Sequence, residues 1–283
     1  MVGAELARLE PEDLDGATQV SVDATPSPGE LPEARFRRIR RRYAAFIATD
    51  PDGAWVAREE GRVTGVAAGL RSDGLWVLSQ LFVDPNTQSR GTGGALLERA
   101  LAYFEGARGG LITASSDPRA IRLYARAGFT PRPALRAEGI VDRATLPASR
   151  LVIEGDVDDV ERTAAVDVAV RGGARPHHIA QMLGVGNRLY LARDGRGYAI
   201  ATGSGRLATL AATDDEAAQA LLWRVLADEP AGMPVAVEWL TAEQGWAIDV
   251  AVRAGFTLEP GGPLFTRGEL GPLTPFVPSG AYS

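Results

Sequence analysis

The chain of 283 residues contains no cysteine, no lysine and only two histidines, His177 and His178, which stand side by side. Without cysteine there is neither a disulfide framework nor a thiol nucleophile, and two adjacent imidazoles leave little to build a zinc site from, so no metal is expected. No apolar run approaches the ~18 residues that a membrane-spanning helix needs. The N-terminus, Met-Val-Gly-Ala-Glu-Leu-Ala-Arg, lacks the charged-then-apolar order of a signal peptide. The expectation is a cytoplasmic protein with no membrane attachment. The missing lysine could avoid self-modification by lysine-directed chemistry, but a GC-rich genome that disfavours lysine codons explains it more simply. The formal net charge of −6 argues against a nucleic-acid partner, because affinity for a phosphate backbone rests on summed positive charge. Any anion bound here has to be held by a local device.

Hydrophobic residues make up 45 % of the chain and charged residues 23 %, a globular composition long enough for two cores. The sequence also repeats itself. "VAREEGRVTGVAAG" at 56–69 is echoed by "LARDGRGYAIATG" at 191–203, "LLERALA" at 96–102 by "LLWRVLA" at 221–227, and "RAGFT" at 126–130 recurs intact at 253–257. The order is the same in both halves, which reads as a tandem duplication: a first domain over 1–148, a second over 149–270 and a tail over 271–283. Three prolines stiffen the tail, and Phe276, Val277 and Tyr282 give it apolar surface to bury, so it is expected to be ordered.

In the first half, Leu6 to Leu9 reads as a short strand, and Pro11-Glu12-Asp13 starts a helix. Phe36, Ile39, Tyr43 and Phe46 recur at helical spacing, residues 54–70 and 75–83 read as strands about a turn at Ser72-Asp73-Gly74, and 111–115 as a further strand. Between the strand ending near Val83 and a helix beginning "ALLERALA" lies "DPNTQSRGTGG". A helix N-terminus leaves backbone N–H groups without partners and carries partial positive charge. Glycines there let those groups face a phosphate or pyrophosphate with no Cβ in the way. A tight turn is the plain alternative for any single Gly-x-Gly.

Gln88-Ser89-Arg90-Gly91-Thr92-Gly93 resembles the Gln/Arg-x-x-Gly-x-Gly/Ala signature of the GNAT acyltransferase superfamily. A second run, Asp117-Pro118-Arg119-Ala120-Ile121-Arg122-Leu123-Tyr124 followed by Ala127-Gly128-Phe129, is similar to that family's Asn-x-x-Ala-x-x-Leu-Tyr-x-x-x-Gly-Phe helix. The resemblance implies an α/β (α+β) fold of two tandem GNAT-like domains, each a mixed, mostly antiparallel sheet flanked by helices, with acetyl-coenzyme A as cosubstrate. It implies that Gln88, Ser89, Arg90, Gly91, Thr92, Gly93 and Gly94 hold the pyrophosphate. Leu81, Phe82 and Val83 would lie along the pantetheine arm, with a backbone N–H near Leu81 polarising the thioester carbonyl. Tyr124 takes the place of the family's general acid, and its alternative is a tyrosine packed on the sheet with its hydroxyl bonded to backbone. Asp117 stands where the family has asparagine; it is placed with the cofactor residues by position, while its own chemistry before Pro118 is that of an N-cap. No general base is assigned, Glu30, Glu33 and Asp84 being the carboxylates at hand. In one group within the family the terminal carboxylate is the base, which would give Ser283 that role; the alternative for the tail is a structural anchor.

The second half keeps the outline and loses the device. From Gly69 to Leu96 the chain advances 27 residues, but from the equivalent Gly203 to Leu221 only 18, and Asp214, Asp215 and Glu216 replace the glycines. Tyr124 corresponds to Ala251. The reading is an N-acetyltransferase active in the first half on a primary amine of a small molecule or peptide. Its rivals are a non-catalytic acyl-CoA-binding regulator and an RNA-directed acetyltransferase that uses "RFRRIRRRY" at 35–43, a helix face that solvent alone also explains. His177 and His178 are expected to be a surface pair pointing apart on a helix.

Overall fold

The computed structural model describes residues 4–25, 31–88, 91–147, 151–202 and 206–283. It divides into two compact units, Met1–Ala107 and Arg108–Ser283. The first unit runs β1 (Glu5–Arg8), α1 (Leu14–Ala24), α2 (Pro32–Thr49), β2 (Ala54–Glu59), β3 (Arg62–Ser72), β4 (Leu75–Val83) and α3 (Thr92–Ala102). The strands pair antiparallel in the order β1-β2-β3-β4. Both hairpins close on two residues with positive φ, Glu60-Gly61 and Asp73-Gly74, whose twist suits adjacent antiparallel strands. Helix α3 covers the face on which Gly65 lies, since a Cβ on Gly65 would meet Leu96 at 2.7 Å. Of the helical stripe on α2, Ile39, Tyr43 and Phe46 are buried and Phe36 is half-buried.

The second unit begins with β5 (Gly109–Thr113), α4 (Pro118–Arg126), β6 (Thr130–Arg132) and β7 (Ala134–Ile140). It continues through β8 (Val152–Gly155), α5 (Ala164–Arg171), α6 (Pro176–Gly184), β9 (Arg188–Ala192), β10 (Gly197–Ala201), β11 (Leu207–Ala212) and α7 (Asp215–Ala227). Last come β12 (Pro234–Thr241), α8 (Gly245–Arg253), β13 (Thr257–Pro260), β14 (Leu264–Gly268) and β15 (Phe276–Val277). One sheet here has the order β15-β11-β10-β9-β8. The amphipathic face of α7 packs on β9, β10 and β11, burying Leu221, Leu222, Val225 and Leu226.

The sheets are flanked by helices as the sequence implied, but the two sequence halves trade a strand. β14, from the second half, pairs with β5 and β6 of the first. β7, from the first half, lies between β12 and β13 of the second. Ala137 and Val141 accordingly belong to a core otherwise built from second-half residues such as Tyr190, Leu221 and Trp246. The compact units divide after Ala107.

The tail is ordered, with Phe276, Val277, Tyr282 and Ser283 all buried. β15 pairs with β11, and beyond it a buried charge cluster holds the chain. Arg175 is fully buried, lies 3.2 Å from the Asp167 carboxylate and donates to the Tyr282 carbonyl at 2.5 Å. Arg171 donates to the carbonyls of Ser283 and Gly173. The Tyr198 hydroxyl donates to Asp167 at 2.6 Å. These contacts are those of an anchor. The histidine pair differs from expectation: His177 is exposed but His178 is buried, and their ring centroids lie 4.0 Å apart rather than pointing away from each other. His178 turns inward toward Tyr282, 5.9 Å away between ring centroids.

Candidate active site

In the first unit, β4 is buried from Leu75 to Gln80 and emerges half-exposed at Leu81, Phe82 and Val83. The chain then turns at Asp84, whose carboxylate accepts from the Asn86 N–H at 2.9 Å and from Arg62 at 2.8 Å. The Asn86 N–H, above all, and Arg62 hold this acid below the usual carboxylate range, so Asp84 is a turn-former and a poor base. Gln88 donates to the Val83 carbonyl at 3.2 Å, folding the loop back on the strand end. Ser89 and Arg90 lie outside the described residues.

Gly91 stands just before α3 with φ 89°, in the left-handed region that favours glycine. The first helical bond runs from the Ala95 N–H to the Gly91 carbonyl, and among the described residues no side chain caps the helix. The N–H groups of Thr92, Gly93 and Gly94 thus form an uncapped first turn. Gly93 is informative for the opposite reason to Gly91. Its φ is unremarkable, and among the described residues a Cβ would meet only Val83 at an ordinary 3.6 Å. Those neighbours do not require glycine there, and glycine within a helix costs about 0.5–1 kcal/mol against alanine. A bare backbone facing a ligand does account for it. In the second half the matching turn is closed by its own acid: Asp214 accepts from the Ala217 N–H at 2.9 Å, and Arg196 bridges Asp214 and Glu216.

One feature of β4 escaped the sequence reading. Opposite Ala68 and Gly69 stand Gln80 and Leu78, so Ser79 is an extra residue and the strand bulges two positions before Leu81. The Ser79 hydroxyl is buried with no hydrogen-bond partner among the described residues. The polar pair Ser-Gln inside the apolar run "LWVLSQLFV" was the available signal.

In the second unit, Asp117 caps α4, accepting from the Arg119 N–H at 2.8 Å while the Arg119 guanidinium sits on its carboxylate at 2.7 Å. The Arg119 side chain, first, holds Asp117 below its usual range. Tyr124 lies on the inner face of α4, 6 % exposed, its ring edge-on to Phe265 at 5.6 Å. Its hydroxyl makes no hydrogen bond among the described residues, so the backbone-bonded alternative does not describe it. Burial, with a smaller contribution from the Asp117 charge, pushes the phenol upward, so Tyr124 carries its proton at neutral pH. Its counterpart Ala251 is a buried methyl on α8. The arginines at 35–43 are partly internal: Arg35 is buried and donates to the Val22 carbonyl, and Arg40 is bridged to Asp15 at 2.6 Å. Among the described residues no helix is long and apolar enough to cross a membrane.

Residues 20–129 match the sequence model of the Acetyltransferase (GNAT) family. The match to the GNAT acetyltransferases thus lies within the first half of the sequence and covers less than half of the chain. Across its full length the chain is similar in fold to a Pyrococcus horikoshii protein described as a candidate acetyltransferase, with TM-score 0.82, 15 % identity, and 100 % of this chain and 97 % of that one covered. A tandem GNAT protein from the clavulanic acid biosynthesis pathway aligns with TM-score 0.59 and 18 % identity over 94 % of this chain and 98 % of the other. A GCN5-related N-acetyltransferase from Kribbella flavida aligns with TM-score 0.59 and 17 % identity over 94 % of this chain and 72 % of its own. No curated protein matches in sequence.

Proposed function

We propose that this protein is an N-acetyltransferase that moves the acetyl group of acetyl-coenzyme A directly to a primary amine of a small molecule or peptide. The glycine-lined start of α3 carries this reading, because among the described residues no side chain caps its N–H groups and a Cβ on Gly93 would be tolerated by its neighbours but not by a close anion. Bound acetyl-coenzyme A supplies an activated acyl group as a thioester. The backbone of Gly91, Thr92, Gly93 and Gly94, with Gln88, Ser89 and Arg90, would hold the pyrophosphate. Leu81, Phe82 and Val83 would align the pantetheine arm, and the N–H near Leu81 would donate a hydrogen bond to the carbonyl oxygen as negative charge develops on it. Tyr124, protonated and with no hydrogen bond to its hydroxyl among the described residues, would protonate the departing thiolate. Asp117, its oxygens already engaged by Arg119, serves by fixing the start of α4. We further propose that the segments 1–148 and 149–270 descend from one duplicated unit, with 271–283 as an anchoring tail; the exchange of β7 and β14 fits such an origin.

The test is release of free coenzyme A thiol from acetyl-coenzyme A in the presence of a panel of amines. Binding without transfer to any of them would leave the acyl-CoA-binding regulator as the better description.

A further inference from the structure

Side chains along a strand alternate between the two faces of a sheet, and paired residues share a face. In the first unit the contacts tell the faces apart. α3 lies on the face of Gly65, where a Cβ would stand 2.7 Å from Leu96 and 3.5 Å from the Cβ of Ala57. Val83 pairs with Gly65, and its methyl would lie 3.6 Å from a Cβ placed on Gly93 of α3. Leu81, two residues back, shares that face. α1 lies on the opposite one. Arg58, the residue after Ala57, holds the carboxylate of Asp13 just ahead of α1 at 2.7 Å, and its partner Val63 would lie 2.9 Å from a Cβ placed on Gly16. Val66, next to Gly65, and its partner Phe82 therefore point to the α1 side. Val66 is fully buried there, whereas Phe82 is half-exposed. The backbone divides in the same way. The Asp84 N–H donates to the Thr64 carbonyl at 2.8 Å, so in the antiparallel ladder Phe82 turns its amide groups to β3 while Leu81 and Val83 turn theirs away from it.

Phe82 thus serves the pantetheine arm only as the link between two residues whose N–H and C=O groups face away from β3. Its ring is left for something else. On the acetyltransferase reading above, the thioester carbonyl accepts from the N–H of Leu81 at about 2.9 Å. The Cα of Phe82 is about 3.8 Å along the strand from that of Leu81, which puts its side chain beside the acyl carbon. An acyl arm lying along the strand has its carbonyl plane near the plane of the sheet, and a nucleophile reaches a carbonyl carbon from one side of that plane or the other. One side carries Leu81, α3 and the glycine turn. The other carries Phe82. Resting on that reading, we propose that the acceptor nitrogen arrives on the α1 side and that Phe82 is a specificity-determining residue that crowds the carbon bearing this nitrogen. A phenyl ring offers neither hydrogen bond nor charge, so it selects by shape. The acceptors are then primary amines on an unbranched CH₂, and amines with a substituent on that carbon, the α-amino groups of side-chain-bearing amino acids among them, are turned away. A peptide acceptor reacts at a side-chain amine and not at its terminus.

The experiment compares two isomers, n-butylamine and sec-butylamine, as acceptors for the full chain, by release of coenzyme A thiol from acetyl-coenzyme A. The quantity read is the ratio of their kcat/KM values, in which any loss common to both, weaker cofactor binding included, cancels. One methylene group against a filled wall is worth about 10- to 200-fold, so the wild type should favour n-butylamine within that range. Phe82→Ala should shrink the ratio by about tenfold or more, chiefly by raising the rate with sec-butylamine. Phe82→Leu should fall between the two, and it covers the case in which Phe82→Ala does not fold. The inference is overturned if the wild type turns over both amines equally or neither of them, or if the variants keep the wild-type ratio. Failure of the acetyltransferase reading looks different: no amine of any shape then releases coenzyme A thiol.

Discussion

Glu229 is 4 % exposed, and neither oxygen of its carboxyl has a hydrogen-bond partner among the described residues. It follows the C-cap Asp228 of α7, with Arg188 the cation that acts on it most strongly. Burial pushes it from its ordinary 4.5 to about 6; Arg188 pulls it down and the Asp228 charge pushes it up. An acid with a raised value in the folded state binds its proton more tightly folded than unfolded. Its contribution to stability is therefore fully present below 4.5 and is lost as the pH rises through about 6. The difference corresponds to about 2 kcal/mol, the penalty for carrying an unpaired buried charge at neutral pH. Glu229→Gln should remove it. Relative to wild type, the variant should gain up to about 2 kcal/mol on going from pH 4 to pH 7.5, or about 4–8 °C in Tm for a unit of this size. The amide brings its own unsatisfied donors, a cost that does not change with pH, so the quantity to follow by urea or thermal unfolding is the change in the wild-type–variant difference. A difference that stays flat between pH 4 and 7.5 would show that Glu229 finds a partner when charged, and would sink the argument.

Tyr124→Phe should lower turnover by about 100- to 10,000-fold while acetyl-coenzyme A affinity is kept, because only the transferable proton is removed; an unchanged rate across the pH profile would take Tyr124 out of the mechanism. Gly91→Ala and Gly93→Ala should separate two roles. The first should destabilise by about 1–2 kcal/mol through its left-handed backbone, whereas the second should leave Tm unchanged or higher yet weaken acetyl-coenzyme A, as read by calorimetry. The stoichiometry of that titration should be one per chain, since Asp214 closes the matching helix start in the second half; a value near two would mean that this half holds the cofactor by other groups. Asp167→Asn should cost about 3–5 kcal/mol in urea unfolding, because it leaves Arg171 and Arg175 buried without their shared carboxylate; a loss below 1 kcal/mol would show the pair balanced elsewhere.

What the sequence determined by itself is local. The α2 stripe, the two hairpins, the capped start of α4 at Asp117-Pro118 and the glycine-lined start of α3 follow from periodicity and turn chemistry within a few residues. So does the acidic start of α7, because Asp214, Asp215 and Glu216 are legible as an ordinary helix N-terminus. The recurring stretches of sequence were legible too, but the strand pairing was not. Two halves with nearly the same strands carry nearly the same edge patterns, and nothing in either pattern says whether β14 should pair with its own half or with the other. Only the tertiary structure decided that it lies between β5 and β6. The same holds for the groups whose chemistry depends on who stands beside them. His178 turned inward, Asp84 was absorbed by Asn86 and Arg62, and Glu229 was left alone in the interior. Trp239 was twisted out of a strand to meet residues more than a hundred positions away in sequence. Residue type and spacing fix what a side chain can do, but burial and partners are sums over contacts distant in sequence, and those exist only once the chain has folded.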